Sequence, residues 1–207
     1  MSYITEEQQV EELKSWWKEN GKVIIATFIL VIGGVLGWRY WQSHQITSRM
    51  ATSNQYEQVI QAYGQNPQVN AAVLQKFVEE NKKSSYAIFA LFDQAKSAVG
   101  QHDLTLAESS LQQAVDISQD SNLKAIAALR LAELQLQQQK YDAVQTTLNH
   151  ISDKAWEGSK QQMLGDIALA KGDKAAARAA YQQALSSENL NSLDKQLLQL
   201  KVDSLSQ

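Results

Sequence analysis

The chain has 207 residues and a formal net charge of −3, and 44% of its residues are hydrophobic. Acidic and basic residues nearly balance, so we expect no nucleic-acid partner. Cysteine is absent, which excludes disulfide bonds, thiolate metal sites and a thiol nucleophile. The only proline is Pro67 and there are nine glycines, so helix-breaking residues are rare. This composition predicts an all-α fold.

The N-terminal residues 1–22 form an acidic leader with five glutamates and three lysines. Val10, Leu13 and Trp17 recur at helical spacing, which predicts a short interfacial helix that starts after Thr5 and reaches the next segment through Asn20-Gly21. Membrane topology follows lysine and arginine rather than net charge. Three lysines precede the apolar segment and two arginines follow it. This count favours a cytoplasmic N-terminus, by a difference of one residue only.

An uncharged run from Val23 to Trp38 separates the leader from the rest of the chain. Extended to Lys22 and Trp41 it spans about 30 Å as a helix, which is the thickness of the hydrocarbon core. Four of the five tryptophans flank it, as in the aromatic belts of membrane helices: Trp16, Trp17, Trp38 and Trp41. We therefore predict a single transmembrane helix over 23–41, in contact with membrane lipid.

Two other interpretations of this run are open. A buried core helix of a soluble protein has similar length and apolarity, although tryptophan pairs do not usually bracket such helices. A cleaved signal peptide has a short basic leader and ends in small residues. Here the leader is acidic and the run ends in Trp38-Arg39-Tyr40-Trp41, which favours a retained anchor.

Residues 42–84 are predicted to form a helical connection and a first hairpin. The membrane helix is expected to continue from Gln42 to about Tyr63, where Gly64-Gln-Asn-Pro67 interrupts it. A second helix is expected from Val69 to Asn81, before the polar Lys82-Lys-Ser-Ser85.

Residues 85–189 contain a pattern that recurs three times, 37 and then 33 positions apart. It consists of a small residue in a first helix, a turn, and small and bulky residues in a second helix. The three copies are Ala95, Asp103, Ala107, Leu111 and Ala114; Ala132, Tyr141-Asp142, Val144, Leu148 and Ile151; and Gly165, Gly172-Asp173, Ala177, Tyr181 and Ala184. The pattern resembles the tetratricopeptide repeat. An ordinary helical bundle with accidental periodicity is the alternative.

A single helical hairpin cannot bury its apolar face, so the three copies are expected to stack into an α-solenoid. Residues 190–207 are predicted to form a helix that caps the last hairpin. Its apolar face is expected to consist of Leu193, Leu197, Leu200 and Leu205.

No arrangement of residues predicts catalysis, a cofactor or a metal. The three histidines, His44, His102 and His150, are far apart and have no partner at metal-ligand spacing. The carboxylates Asp166 and Asp173 fit solvated or capping positions better than general acid-base roles. We therefore predict a protein without enzymatic activity and without a small-molecule substrate.

A tetratricopeptide stack offers a concave groove made by the first helix of each repeat. Projecting the register predicts three sets of groove residues: Phe89, Phe92, Lys96 and Val99; Ile126, Leu129, Glu133 and Leu136; and Ser159, Gln162, Asp166 and Leu169. The first two sets are mainly apolar, which suits a partner segment with an apolar stripe. Alternatively, Phe89 and Phe92 pack against the preceding helix.

The order of these parts, together with several short stretches, resembles the YfgM family, the ancillary subunits of the bacterial Sec translocon. The stretches are Gly34-Val-Leu-Gly-Trp-Arg-Tyr-Trp41, Phe77-Val-Glu-Glu-Asn-Lys82, Asn122-Leu-Lys-Ala-Ile126, Leu129-Arg-Leu-Ala132 and Lys171-Gly-Asp-Lys174. The first is the most specific, and the resemblance runs nearly end to end.

The resemblance implies a bacterial inner-membrane protein with a cytoplasmic N-terminus and a periplasmic repeat domain. It implies association with the SecYEG translocon and with the membrane-anchored periplasmic chaperone PpiD, and a part in handing secreted proteins to chaperones. A tetratricopeptide adaptor for another envelope assembly, such as cell-wall or division machinery, is the alternative function.

Overall fold

The computed structural model describes residues 6–205, and within that range the chain consists of α-helices and one 3₁₀ turn, without strands. The helices are α1 (Glu6–Gln65), α2 (Pro67–Glu80), α3 (Ser85–Gly100), α4 (Leu104–Ile117), α5 (Ser121–Gln137), α6 (Tyr141–Leu148), α7 (Glu157–Ala170), α8 (Lys174–Leu185) and α9 (Ser192–Ser204). The prediction of an all-α fold is confirmed. The chain divides into two compact units, and the boundary lies between Ala51 and Thr52.

The leader and the apolar run belong to one helix, α1, so the prediction of a separate short helix in the leader is wrong. Asn20 Nδ2 donates a hydrogen bond to the carbonyl of Trp16 at 3.0 Å, within the same helix. The ring of Trp17 lies against Gly21. A mid-helix glycine lowers helix stability by only about 1 kcal/mol relative to alanine, so the helix stays continuous through Gly21. The predicted start after Thr5 lies outside the described residues.

The apolar run within α1 has almost no neighbours in its own unit. Leu30 is 76% exposed, and large apolar side chains are exposed throughout the run. Its only hydroxyl, that of Thr27, donates to the carbonyl of Val23 at 2.8 Å, so it needs no outside partner. Of the described helices, only α1 is long and apolar enough to cross a membrane.

The second unit, residues 52–207, contains the C-terminal turns of α1 and the helices α2–α9. Val59 and Tyr63 are buried, and the hydroxyl of Tyr56 donates to Asp93 at 2.6 Å. Burial, and then the hydrogen bond to this carboxylate, raises the pKa of Tyr56. The following helix begins at Pro67, two residues before the predicted start, because Asn66 caps it and proline fits the first helical turn.

Helices α3–α8 form three hairpins, α3–α4, α5–α6 and α7–α8, in which neighbouring helices pack in sequence. The repeated small and bulky positions are interior. The buried members include Ala95, Ala107, Leu111, Ala132, Val144, Leu148, Gly165, Ala177 and Tyr181. The periodicity therefore marks the contacts within and between hairpins.

A close helix contact lies between Gly165 of α7 and Tyr181 of α8. A Cβ atom on Gly165 would lie 2.4 Å from the aromatic ring of Tyr181, a separation that side chains do not tolerate. Tyr181 is fully buried. Glycine is therefore required at this position because a buried ring occupies the space of its missing side chain.

The turns between the helices of each hairpin have the same geometry. His102, Gln139 and Gly172 all have positive φ, at 59°, 59° and 82°. In each turn the next residue's amide donates to the carbonyl five residues back, as from Asp103 to Ala98 at 2.9 Å. This is the Schellman motif, in which one residue adopts the left-handed conformation. Only the third repeat uses glycine there.

Buried polar side chains join the helices of the first two hairpins. Ser110 donates to Gln94 at 3.0 Å, and Thr147 donates to Gln135 at 2.8 Å. Gln135 also donates to Glu108 at 3.2 Å. The hydrogen bond from Lys140, at 2.6 Å, is the main cause that lowers the pKa of Glu108 below its usual value.

The predicted apolar face of the C-terminal helix is partly wrong. In α9 the buried residues are Leu198 and Val202, and Leu205 packs at the edge of the same cluster. The other three predicted leucines are exposed: Leu193, Leu197 and Leu200. Helix α9 therefore has two apolar stripes. Its packing against α8 buries the stripe that contains Leu198.

The contact at Gly165 yields a test of the packing. We expect Gly165→Ala to lower the free energy of unfolding by about 1–3 kcal/mol, because the new methyl group overlaps the buried ring of Tyr181. Gly100→Ala is the control, since a Cβ there meets no atom within 4 Å, and it should raise stability by up to about 1 kcal/mol. Urea unfolding followed by circular dichroism measures both. Equal effects of the two variants would contradict the close approach.

The repeated turn yields a second test. Gln139→Gly should raise the free energy of unfolding by about 0.5–1 kcal/mol because glycine adopts positive φ without a steric cost. Gly172→Ala should lower it by about 1 kcal/mol. Gln182→Gly, on the exposed face of α8, is the control and should be destabilising. Thermal unfolding separates the three, and a destabilising Gln139→Gly would show that the turn is not left-handed.

Candidate protein-binding groove

A groove with a volume of about 270 Å³ lies between α3 and α5, with one residue contributed by α4. Its lining residues are Phe92, Ala95, Lys96, Val99, Leu111, Arg130, Glu133, Leu134 and Gln137. We call this surface the α3/α5 groove. A second depression, of about 360 Å³, lies between α6, α7 and α8 and is lined mainly by alanine and glutamine, so it offers little for a large side chain to contact.

Local sequence sets both walls of the α3/α5 groove. Ser84 caps the start of α3, and Asp120 caps α5 by accepting hydrogen bonds from two backbone amides at 2.9 Å. On each helix the lining residues are three or four positions apart, so they share one face. These residues are 92, 95, 96 and 99 on α3 and 130, 133, 134 and 137 on α5.

The floor of the groove is apolar. Leu111 and Leu134 are buried, and so is Ala95 of α3. Phe92 is half-buried and packs against the core, whereas Val99 is 45% exposed. Apolar surface is therefore open to solvent at the α3 side of the groove.

The rim carries two cations and one anion. Lys96, Arg130 and Glu133 are all exposed, and in the described part of the chain none of the three forms an ion pair. The guanidinium of Arg130 lies 4.4 Å from the centroid of the Phe92 ring, which is a cation–π contact. This contact holds the planar group at the mouth of the groove.

Four of the predicted groove residues line this site: Phe92, Lys96, Val99 and Glu133. Phe89 makes an edge contact with the ring of Tyr86 instead. Ile126, Leu129 and Leu136 are half-buried, and the last two pack against the core. The second repeat therefore contributes mainly its charged positions to the groove.

The predicted groove residues of the third repeat lie elsewhere. Asp166 accepts hydrogen bonds from the hydroxyl of Tyr181 and from Lys201, both at 2.6 Å, and so joins α7, α8 and α9. Burial, and then the bond to Asp166, raises the pKa of Tyr181. Ser159 and Gln162 are half-buried, and Leu169 is exposed. Asp166 is thus engaged in a structural link.

Sequence reasoning missed Arg130 and Gln137, which line the groove beside Glu133. Arg130 precedes Glu133 by three positions and Gln137 follows it by four, so their spacing on the helix was the available signal. Leu111 and Leu134 were missed because their role depends on how α4 and α5 pack.

The arrangement can hold a protein side chain or short segment through apolar contact and charge. In the described residues, no three histidine, aspartate or glutamate side chains come together as a metal site. The three histidines are far apart in the chain, and His102 lies in a turn.

Comparison with known proteins gives a consistent result. Residues 14–207 match the family model of the tetratricopeptide repeat-like domain. The chain is 44% identical to the ancillary SecYEG translocon subunit of Aggregatibacter actinomycetemcomitans and 43% identical to that of Haemophilus influenzae, covering 99% of this chain and 100% of each relative. It is 35% identical to that of Escherichia coli, over 99% and 98% of the two chains. No solved structure matches the chain.

The burial of the groove residues can be tested by placing a charge in the groove and in the core. Leu136→Glu should lower the free energy of unfolding by about 2–4 kcal/mol because Leu136 packs against the core. Val99→Glu should change it by less than about 0.5 kcal/mol because Val99 is open to solvent. Urea unfolding measures both variants. A comparable loss in Val99→Glu would place Val99 in the core and close the groove.

Proposed function

The chain belongs to the family of ancillary SecYEG translocon subunits, and from this premise we propose that it is a non-enzymatic scaffold that links the Sec translocon to periplasmic chaperones. Membership confirms the resemblance carried by the Gly34–Trp41 stretch. It also confirms the prediction of a tetratricopeptide-like domain. The observation that carries the proposal is this full-length similarity to translocon subunits of three bacteria.

The anchor supports a location in the inner membrane beside the channel. The apolar run of α1 exposes large side chains along its length, and lipid is the medium in which such a surface is stable. Trp38 and Trp41 have rings 5.4 Å apart at one end of the run, where aromatic side chains suit the membrane interface. Membrane lipid is therefore one of the proposed partners.

We propose a cytoplasmic N-terminus and a periplasmic repeat domain. The lysine and arginine count favours this orientation by one residue, and a long C-terminal domain is translocated largely regardless of its charge. The absence of cysteine suits an oxidising compartment.

The repeat domain supports a role in binding other proteins. Its α3/α5 groove presents an apolar floor and charged side chains that have no ion-pair partners within the described residues. Among those residues, no group of three histidine, aspartate or glutamate side chains could hold a metal ion. We propose that the domain contacts the chaperone PpiD and takes part in handing emerging secreted proteins to chaperones, with the α3/α5 groove as one binding surface.

Site-specific crosslinking in native inner membranes tests this function. A photoreactive residue at Gln58, which is exposed on α1, should crosslink to subunits of the SecYEG channel and to PpiD. The same residue at Gln182, exposed on α8, is the comparison position and should give a different set of products. Recovery of cell-wall or division enzymes without channel subunits would overturn the proposal.

The sidedness of the domain is read in the same cells. Protease added to spheroplasts should digest residues 52–207 while it leaves cytoplasmic marker proteins intact, because the domain is proposed to face the periplasm. Protection of the domain until the inner membrane is lysed would reverse the proposed orientation.

A further inference from the structure

We propose that the α3/α5 groove recognises an acidic, apolar segment of a partner protein: one large apolar side chain on the groove floor and a nearby aspartate or glutamate carboxylate between Lys96 and Arg130. This inference rests on the proposed function and specifies the chemistry of its binding surface. The proposed ligand is a defined segment of a partner protein, and not one of the varied apolar stretches of unfolded secreted proteins.

The size of the groove limits what it holds. Its volume of about 270 Å³ is just below the roughly 300–1,000 Å³ typical of small-molecule pockets. Apolar groups reach it from three helices, through Phe92, Leu111 and Leu134. A few side chains of a bound segment fit there, and burial of one large apolar side chain supplies the sequence-independent part of the affinity.

The charges on the rim supply specificity. Lys96 and Arg130 face the same groove, and only Glu133 opposes them, so the lining has a net charge of +1. Lys140 and Lys201, by contrast, are each paired with a carboxylate at 2.6 Å elsewhere in the domain. A partner carboxylate would give the groove cations the partner that the described residues do not provide.

Arg130 is pre-oriented for this role. Its guanidinium rests 4.4 Å from the centre of the Phe92 ring and donates no hydrogen bond to any described side chain or backbone group. A guanidinium that lies over an aromatic ring keeps the N–H groups at its edge available, and a carboxylate accepts two of them at once. The apolar contact and the charge contact therefore lie side by side.

The one carboxylate in the lining, Glu133, limits where an acidic group of the partner binds. Glu133, on the same helix as Arg130, repels a second acidic group, so the partner's carboxylate is directed to the side of Lys96 and Arg130. In the third repeat the equivalent position is Asp166, which is already bound by Tyr181 and Lys201. Because the lining comes only from α3, α4 and α5, the recognised segment is short and contacts the first two repeats.

A randomised nine-residue peptide library displayed on phage, selected on the full-length chain in lipid nanodiscs, tests the inference. The selected peptides should contain at least twice as much aspartate and glutamate as the unselected library, at a constant spacing from a large apolar residue. Affinity of a selected peptide should fall about tenfold between 50 and 300 mM salt. A selected pool that is apolar without a bias in charge, or no enrichment at all, would overturn the proposal.

Charge reversal provides the decisive comparison. The double variant Lys96→Glu with Arg130→Glu should lose at least tenfold in affinity for the acidic peptides and should select peptides rich in lysine and arginine. Lys174→Glu with Arg178→Glu is the matched control, since both residues are exposed on α8 and outside the groove, and it should select the original pool. An unchanged pool from the groove variant would refute the assignment.

A single variant keeps the test independent of the cation–π contact. Lys96→Glu leaves Arg130 over Phe92, and it should lower the affinity for the acidic peptides about threefold or more with an unaltered circular dichroism spectrum. Unchanged affinity would contradict a role for Lys96. If position 58 crosslinks to the channel but charge reversal has no effect on peptide affinity, only this inference fails. If the protein with an unaltered groove gives no crosslinks from position 58 to the channel, the proposed function fails instead.

Discussion

The close approach of paired helices is the constraint on which the repeat domain depends. Gly165 accepts the ring of Tyr181 where even a methyl group would overlap it, and Ala95 and Ala132 occupy the corresponding positions of the other two repeats. Small residues let the helices of a hairpin meet, and bulky residues then project to the next hairpin. Because each hairpin leaves one apolar face uncovered, stacking is what makes the domain stable.

Hydrogen-bonded polar side chains fix how the helices meet. Apolar packing tolerates some sliding, whereas a buried amide or hydroxyl without its partner costs about 1–3 kcal/mol. Thr147 donates to Gln135 of the facing helix, and Ser110 contacts Gln94 in addition to the carbonyl of Leu106 in its own helix. Asp166 has the same role at the C-terminal end, where it draws Lys201 of α9 onto the last hairpin.

The exposed apolar surface of the chain serves two different purposes in the proposed function. The run in α1 is continuous, uncharged and bordered by tryptophan, so it suits lipid. The surface in the α3/α5 groove is small and bordered by Lys96, Arg130 and Glu133, so it suits a protein segment.

Sequence alone determined the features that depend on neighbouring residues. The uncharged run between Lys22 and Arg39 identified a helix apolar enough to cross a membrane. The spacing of small and bulky residues in three repeats identified the helical hairpins, because helix periodicity is a local property. The family was also evident from short stretches such as Gly34–Trp41. These features need no knowledge of which helices touch.

The tertiary structure decided everything that depends on the rotation of one helix against another. It placed Arg130 over Phe92, engaged Asp166 with Tyr181 and Lys201, and buried Leu198. The left-handed turns at His102 and Gln139 were equally invisible, since only the third turn contains glycine. A helix sequence specifies an apolar stripe, but the neighbouring helix determines which edge of that stripe is covered. The groove likewise exists only where α3 and α5 pack together.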